Sequence, residues 1–248
     1  MVTTIQSVER AARILVFVAE NPRVQGAQIA ERFDLKGPTA HHLLTTLVQE
    51  GLLRKDATRR FELGASSERI ADGVLQHLRP PAELRTALVE LAQRTGESCY
   101  LTAWRGDQIR VIAVVEGEHA VRVSGLVVGF SDDIHARVGA RVLLAYADDD
   151  LRNWVLAGYQ YAALTPQTLR SRSELDAELN RIRSSGVAHD REELRTGVYS
   201  ISAPVLLEGA VRAALSLTAP VERFDRNHEG YVSALRHCAS LPEAESAD

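Results

Sequence analysis

Residues 25–61 constrain the fold more than any other stretch, because two short helices and a basic hairpin follow one another with little between them. Residues 26–33 have helical apolar spacing, residues 34–37 form a turn, and a second helix runs to Gly51. Residues 52–63 then alternate as two short strands around a polar tip. This order predicts a winged helix-turn-helix, a shape that fits a groove of duplex DNA.

Local signals support the boundaries of the second helix. Pro38 suits its first turn, where a missing N–H costs nothing, and Gly51 is expected to serve as its C-cap. Leu35 is expected to be buried beneath the turn. The side of the helix that faces the core is predicted to carry Ala40, Leu43, Leu44, Leu47 and Val48.

The opposite side of this helix and the turn before it carry the candidate DNA contacts. Short polar side chains there can reach base edges or phosphates in a major groove, although a solvated helix face has the same composition. Adjacent helical residues point about 100° apart, so the two histidines do not suit a shared metal ion. The predicted DNA-contacting residues of this region are Lys36, Pro38, Thr39, His41, His42 and Thr45.

The hairpin concentrates positive charge directly after the second helix. Arg54, Lys55, Arg59 and Arg60 lie on its strands and tip. Charged surface hairpins occur in many proteins, but this position favours contact with DNA phosphates. The hairpin is therefore predicted to be the wing of the motif.

Charge is distributed unevenly along the chain. The net charge is −4, yet residues 1–80 hold 11 Lys and Arg against 9 Asp and Glu, and the remainder holds 18 against 24. A weakly basic front and an acidic rear suit a DNA-binding domain followed by a sensor domain. No apolar run reaches the roughly 18 residues of a membrane span, the start does not resemble a signal peptide, and the two cysteines have no metal-like spacing. These features predict a cytoplasmic protein with no membrane segment, cofactor or metal.

Further helices flank the motif. Residues 7–21 are predicted as a helix capped by Ser7, with Val8, Ala11, Ala12, Leu15, Val18 and Ala19 at helical spacing. Residues 66–79, with Ile70, Val74 and Leu78 in line, predict a helix between two domains that can act as a lever or as a plain spacer. Residues 81–95 predict an amphipathic helix that Gly96 ends.

The rest of the chain mixes strands and helices, which predicts an α+β sensor domain of five or six strands. The C-terminal residues 243–248 are expected to be disordered. Strands are predicted at residues 98–104, 108–115, 121–128, 186–190, 197–205 and 210–217, and helices at 134–147, 151–157, 173–184 and 227–239.

Several ordered motifs resemble the IclR family of bacterial transcription regulators. They include SVERAARIL, PTAHHLLTTLVQEGLLRKD, TGESCYLTAWRGD, IHARVGARVLLAY and IRSSGVAHDREELRTGVYSISAPV. The resemblance implies an α+β protein with a winged helix-turn-helix in residues 1–65 that also dimerises. It further implies a linker helix in residues 66–80 and a GAF-like effector-binding domain in residues 81–245. His42 stands where the family usually has Arg in the recognition helix.

The resemblance also implies an effector site for small organic acids or aromatic compounds. Its residues here are His135, Arg137, Val138, Gly139, Asp190, Ser202, Ser216 and Thr218. Backbone N–H groups near Val138 and Gly139 are suited to a carboxylate. Arg137 and Ala140 replace the Thr and Gly that are common in the family, and a surface position for Arg137 is expected over an inward one. Trp104, Leu126 and Phe130 are candidates for an apolar pocket wall or for ordinary core packing.

Two other classes of function compete with regulation. A hydrolase needs His135, Asp190 and a serine to meet after folding, but the chain has no G-x-S-x-G elbow, Walker loop or zinc motif. A protein-interaction module that has lost DNA binding is the other, since the recognition helix itself lacks Arg and Lys. The favoured prediction is a dimeric or tetrameric regulator that binds a palindromic site in double-stranded DNA.

Overall fold

A computed structural model describes residues 4–240, although the side chains of residues 75–78 fall outside that description. The chain separates into two compact units, Met1–His77 and Leu78–Asp248. The predicted C-terminal tail at residues 243–248 and the side chain of Leu78 lie outside the described part. Each unit has its own buried core.

The N-terminal unit is the predicted winged helix-turn-helix. Its core is formed by Ile14, Val18, Val24, Ile29, Leu44, Leu47, Leu53 and Phe61. The two strands pair antiparallel, with Leu53 opposite Leu63. Its elements are α1 (Gln6–Glu20), α2 (Gly26–Arg32), α3 (Gly37–Gln49), β1 (Leu53–Lys55), β2 (Phe61–Leu63) and α4 (Ala65–Leu78).

Glycine sets the end of α3 and the start of α4. Glu50 is the C-cap of α3, one residue before the predicted cap, and Gly51 follows with a φ of +67°. A Cβ on Gly64 would lie 2.3 Å from the carbonyl oxygen of Gly51, so the backbone segments at Gly51 and Gly64 are in close contact. Ser66 Oγ donates to the Glu50 carbonyl and Ser67 Oγ to the Leu52 carbonyl, at 2.8 and 2.7 Å. The first turn of α4 is thereby fixed to the helix-turn-helix.

Two predictions for α1 and one for the turn are wrong. Ser7 is not the cap, because the helix begins at Gln6 with Ile5 in the cap position and no side-chain hydrogen bond there. Val8, predicted in the inner stripe, is 62% exposed, because the buried face is set by Ile14 and Val18. Ala12 and Ala19 are likewise exposed. Leu35 is only half-buried, although it packs against the core.

The C-terminal unit is a five-stranded antiparallel sheet with helices on both faces. The strand order is β4-β3-β7-β6-β5. α5 and α9 cover one face, and α6 packs against the other with α8 beside it. Its elements are α5 (Ala82–Thr95), β3 (Ser98–Arg105), β4 (Gln108–Val115), α6 (Val138–Tyr146), α7 (Asp149–Val155), α8 (Arg172–Ser185), β5 (Ala188–Arg191), β6 (Val198–Leu207), β7 (Ala210–Pro220) and α9 (Val221–Ala239).

The predicted strand at residues 121–128 is wrong, because this segment is an irregular loop. Gly125 and Gly129 have φ angles of +106° and +95°, which an extended strand does not allow. Backbone hydrogen bonds with β4 follow this segment, where Val111 exchanges them with Gly129 and Phe130. We call residues 121–128 the cover loop.

Two helix starts also differ from prediction. Residues 134–137 are a turn before α6, because the N–H groups of Ala136 and Arg137 both donate to the Asp133 carbonyl. α9 begins at Val221, six residues before the predicted start, directly after β7 ends at Pro220. The remaining predicted elements are present with shifts at their ends. The predicted fold class, an N-terminal helix-turn-helix followed by a mixed α/β domain, is confirmed.

Candidate functional site

The outer face of α3 is polar and accessible. Thr39, His41, His42 and Thr45 are exposed on it, while Ala40, Leu44 and Leu47 are buried on the other side. Lys36 and Pro38, in the turn and first helical residues, are exposed too. The described residues contain no cluster of three or more metal-type ligands. The six predicted DNA contacts of this region therefore share one open surface.

The wing residues differ in how free their charges are. Arg54 pairs with Glu62 at 3.1 Å, and Lys55 lies over the Phe61 ring at 5.2 Å. Arg60 Nη1 is 3.5 Å from the Arg23 carbonyl oxygen. Arg59 is exposed at the tip, and its side chain makes no hydrogen bond or ion pair with any other described residue. Arg59 is thus the wing cation most available to an outside anion.

Asp56 organises the wing tip. Its Oδ1 accepts from the N–H groups of Thr58 and Arg60, at 2.8 and 2.9 Å, and from the Thr58 hydroxyl at 2.8 Å. The backbone N–H of Arg60 and the other donors lower the pKa of Asp56 to about 2. The carboxylate therefore stays charged and holds Arg59 in a left-handed conformation with a φ of +61°.

In the C-terminal unit, polar side chains form a continuous stripe on the sheet face that α6 covers. Strand register places Thr218 between Ser98 and Ser200, and Ser216 between Tyr100 and Ser202. Asp190 is opposite Ser200 on the next strand. The stripe brings together Asp190, Ser202, Ser216 and Thr218 as predicted, and adds Ser98, Tyr100, Thr102 and Ser200.

The added residues had a signal in the sequence. Polar side chains repeat every second residue at positions 98, 100 and 102, at 200 and 202, and at 216 and 218. Alternate strand residues share one face of a sheet, so this repeat indicates a polar stripe in an otherwise apolar core. Ser200 donates to Thr218 at 3.0 Å and Ser216 donates to Ser202 at 2.8 Å.

The N-terminus of α6 lies over this stripe. Val138 and Gly139 are buried in its first turn, and no side chain caps the helix. A Cβ on Gly139 would lie 2.6 Å from Thr102 Oγ1 and 3.2 Å from Ser216 Oγ, so only glycine brings the backbone this close to the hydroxyls. Thr102 Oγ1 is buried without a hydrogen-bond partner. Uncapped N–H groups at a buried helix start are suited to an oxygen-bearing ligand.

His135 is buried but already bonded. Its Nδ1 is 2.7 Å from the Tyr159 hydroxyl and its Nε2 is 3.0 Å from the Ala162 carbonyl oxygen. A carbonyl oxygen only accepts, so Nε2 carries the proton and Nδ1 accepts from Tyr159. Burial lowers the pKa of His135, which fits this neutral form. His135 positions the segment that contains Tyr159 and Ala162, and it makes no hydrogen bond to a serine among the described residues.

Arg137 is buried, so the expected surface position is wrong. Only 1% of the residue is exposed. Nε donates to the Asp132 carbonyl at 2.7 Å, and Nη2 donates to the carbonyls of Ile109 and Ser131, at 3.1 and 2.9 Å. The guanidinium also lies over the Phe130 ring, 5.2 Å from its centroid. Burial lowers the pKa of Arg137.

Asp190 belongs to a buried charged group that also contains Arg141 and Glu193. Asp190 Oδ1 accepts from the N–H groups of Glu193 and Leu194, at 2.6 and 3.3 Å. Arg141 is fully buried, and its Nη1 is 2.7 Å from Glu193 Oε2. Burial raises the pKa of Asp190 and raises that of Glu193 to about 7, although Arg141 opposes both shifts. Sequence reasoning missed Arg141, which lies one helical turn after Arg137.

A cavity separates the stripe from the cover loop. Ser98, Tyr100 and Thr218 form its floor, and Leu126 with its neighbours in the cover loop forms its roof. The space measures about 20 Å³, which is room for about one water molecule. Of the three residues considered for an apolar wall, Leu126 borders this cavity, whereas Trp104 and Phe130 pack against the core beneath α6.

Few interactions hold the cover loop in place. Ser98 Oγ donates to the Val123 carbonyl at 2.7 Å, and Arg195 donates to the Ser124 carbonyl at 2.8 Å. Arg223 donates a hydrogen bond to the Val121 carbonyl at 3.0 Å.

In the described part of the chain, no helix has the length and apolar character needed to cross a membrane.

Two family models match the chain. A model described as the C-terminal domain of the bacterial transcriptional regulator IclR matches residues 73–243, and a model of the IclR helix-turn-helix domain matches residues 7–57. The first of these alone covers more than half of the chain. Together they span both structural units.

Characterised relatives and solved structures agree with these models. The HTH-type transcriptional regulator XynR of Escherichia coli is 33% identical over 224 residues, which are 89% of this chain and 88% of XynR. The structure of Thermotoga maritima IclR has a TM-score of 0.76 at 24% identity, covering 95% and 96% of the two chains. An IclR homologue from Microbacterium hydrocarbonoxydans, solved with 4-hydroxybenzoate, has a TM-score of 0.76 at 22% identity, covering 94% and 95%. The helix-turn-helix unit, the α/β unit and these relatives together show that the chain belongs to the IclR family of bacterial transcriptional regulators.

Proposed function

We propose that paired copies of this IclR-type regulator bind a palindromic operator and that a small organic ligand in the C-terminal unit controls this binding. The observation that carries the proposal is the exposed polar face of α3 directly beside a basic wing. A recognition helix in the major groove reads base edges, while the wing binds backbone phosphates. The proposed DNA contacts are Lys36, Pro38, Thr39, His41, His42, Thr45, Arg54, Lys55, Arg59 and Arg60.

An exposed apolar stripe supports the pairing of two copies. Ile5, in the cap position of α1, is 68% exposed, and Val8 and Val16 on the helix are 62% and 57% exposed, with exposed Ala12 between them at helical spacing. Such a stripe on a helix is typical of a protein interface. We propose that it forms the dimer contact and that two dimers associate into a tetramer.

The dimer contact is tested by sedimentation of the purified full-length protein. Val8→Glu is expected to weaken dimerisation, because it places a charge in the stripe. Val127→Glu is the control, since Val127 is 61% exposed in the cover loop of the other unit. Equal dimerisation by the two variants and the parent would remove α1 from the interface.

The ligand site is proposed at the buried start of α6. First-turn N–H groups of Val138 and Gly139 suit a carboxylate, and Asp190 with the serine and threonine hydroxyls suits polar substituents. We propose His135 and Arg137 as its remaining predicted members, and we add Ser200 to Ser202, Ser216 and Thr218. The related Microbacterium protein, solved with 4-hydroxybenzoate, supports an aromatic or aliphatic acid as the ligand class.

The cavity as it stands is too small for such a ligand. A site for a small molecule normally encloses at least about 300 Å³. We infer that the cover loop, held by Ser98, Arg195 and Arg223, moves when the ligand enters. A ligand shifts the equilibrium between two conformations only by its difference in affinity for them, so it must favour the displaced loop.

Each function is proposed for a separate range of the sequence. We propose that residues 1–65 bind DNA, that residues 66–80 form a linker helix, and that residues 81–245 hold the ligand. The contacts of Ser66 and Ser67 fix the start of this helix to the helix-turn-helix. The protein is expected to act in the cytoplasm, with no catalytic turnover and no cofactor.

The test is a gel-shift assay with the DNA upstream of the protein's own gene, with and without small acids such as 4-hydroxybenzoate. We expect a shift at low salt and a protected site with two-fold symmetry. The absence of any shift at low salt would overturn the regulator function and favour a protein-interaction module. Turnover of a candidate ligand would instead indicate an enzyme.

A further inference from the structure

The guanidinium of Arg137 is a buried cation without a counter-ion. Its three hydrogen bonds all go to backbone carbonyls, those of Asp132, Ile109 and Ser131. It makes no ion pair with any carboxylate of residues 4–240, and the charges of Asp132 and Asp133 act on it only at longer range. Removing a charge from water is strongly unfavourable unless an opposite charge or a complete set of hydrogen bonds replaces the solvent.

The hydrogen bonds of Arg137 are incomplete. Nη1 is buried and has no hydrogen-bond partner, so both of its N–H groups are unused. Nε and Nη2 fix the orientation of the planar guanidinium, and the Phe130 ring covers it at 5.2 Å. Arg137 is therefore held in one position by its other donors, with a free charged donor beside them.

Arg137 also adjoins the proposed ligand site through α6 and the core beneath that helix. Arg137 is the cap residue of α6, whose uncapped first turn lies over the polar stripe. Phe130, beneath the guanidinium, and Leu126, in the roof, pack against the same core cluster.

We propose that Arg137 makes the ligand site of this chain selective for anions, with Nη1 donating to a carboxylate-sized anion. The inference rests on the proposed function in one respect, which is that the anion is the charged group of the effector. Charge-assisted hydrogen bonds from a fixed guanidinium distinguish a carboxylate from its neutral amide, which the helix amides alone do less well. Arg137 thus sets the charge of the ligands that this site accepts.

The test uses formate, the smallest carboxylate, and the melting temperature of the full-length protein. Formate is titrated against sodium chloride at matched ionic strength. At ten times the dissociation constant, a ligand that binds only the folded state raises the melting temperature of a chain this size by roughly 3 to 6 °C. We expect this rise for the parent and no rise for Arg137→Gln.

Arg110→Gln is the matched control. Arg110 is half-buried and donates to the Gly129 carbonyl at 3.1 Å, so its loss loosens the same part of the chain without removing the buried charge. It should keep the formate response. Equal responses of Arg137→Gln and the parent, or no response of the parent beyond that to chloride, would overturn the proposal.

Two further measurements keep the proposal testable if Arg137→Gln does not fold. Arg137→Lys retains a charge but not the planar fork, and its formate dissociation constant should be about ten times higher. An unchanged constant would count against the proposal. A crystal soaked in formate should show formate density at hydrogen-bond distance from Nη1, and density only elsewhere would contradict it. Operator binding is measured separately without added ligand, so a failure of DNA binding is distinguishable from a failure at Arg137.

Discussion

The wing offers the sharpest quantitative test, because recognition helix α3 has no Lys or Arg between Gly37 and Gln49. Electrostatic affinity for phosphate must then come largely from the wing. The Arg59 side chain makes no hydrogen bond or ion pair with another described residue, and that of Arg60 has only a long hydrogen bond of 3.5 Å to a carbonyl. Replacing both residues with alanine should remove phosphate contacts and leave the core unchanged.

The magnitude follows from counter-ion release. Each phosphate that a protein neutralises contributes about −0.9 to the slope of log K against log salt on B-form DNA. A dimer has two wings, so Arg59→Ala with Arg60→Ala removes four contacts and should reduce the slope by about 3.6. Between 50 and 200 mM salt, the parent should therefore lose about 150 times more affinity than the double variant.

The measurement is fluorescence anisotropy with a labelled operator and with a scrambled duplex, at four or more salt concentrations. Both duplexes should show the same change in slope, because phosphate contacts carry no sequence information. Arg212→Ala is the control, since Arg212 is an exposed arginine of the other unit that pairs with Glu208 at 3.1 Å. A double variant with the slope of the parent would refute the assignment of the wing to the phosphate backbone.

Three other predictions concern separate parts of the molecule. His42→Ala should change the preferred operator sequence in a binding-site selection, and an unchanged preference would exclude His42 from base reading. Gly139→Ala, whose Cβ would lie 2.6 Å from Thr102 Oγ1, should lower the free energy of unfolding in urea by about 1 to 3 kcal/mol. Gly230→Ala, in α9 with open space around it, should raise the free energy of unfolding, and equal losses would refute the steric argument. Burial raises the pKa of Glu193 from 4.5 to about 7, so its stabilising contribution is present below pH 4.5 and is lost as pH rises through 7. The free energy of unfolding should fall by roughly 1 to 3 kcal/mol between pH 5 and pH 8.5, and the same fall in Glu193→Gln would assign it to other groups.

Local sequence determined the N-terminal unit well, because each of its boundaries has a local cause. Pro38 starts α3, Gly51 follows its end, and apolar residues at helical spacing face the core. The prediction of the buried face of α1 failed because two faces of this helix are apolar. α1 has the buried Ile14 and Val18 on one side and the exposed Val8 and Val16 on another. Periodicity alone does not say which stripe packs against the core of the unit and which stays exposed.

The failed strand at residues 121–128 has a different origin. Its alternation of valine with polar residues resembles a strand, but a strand needs a partner that supplies backbone hydrogen bonds. Among the described residues, such an exchange with β4 occurs just after the loop, between Val111 and residues 129–130, and the positive φ of Gly125 turns the loop away. The unpaired edge of β4 and the positive φ at Gly125 depend on tertiary structure, so the local sequence does not predict them.

The polar stripe was within reach of sequence reasoning, whereas the position of Arg137 was not. Alternation places Ser98, Ser200 and Thr218 on one face once the strands are known. Arg137 is buried because carbonyls from β4 and from residues 131–132 accept its hydrogen bonds. The pattern of polar and apolar residues around Arg137 does not reveal these backbone contacts. An arginine in a family-typical threonine position is therefore easily assigned to the surface, where most arginines lie.

Control of this regulator does not require the ligand to reach α3. Every wing contact occurs twice in a dimer, so a variant or a ligand that prevents the simultaneous use of both wings removes half of the phosphate contacts at once. For a wing with two contacting arginines, this loss equals a slope change of about 1.8, and at 0.1 M salt it already corresponds to a large loss of affinity. The recognition helix contributes little charge of its own, so it cannot compensate. Under the proposed function, the uncharged face of α3 makes DNA binding depend on the pairing of two copies, and we expect a small anion bound in the C-terminal unit to release the DNA by altering that pairing.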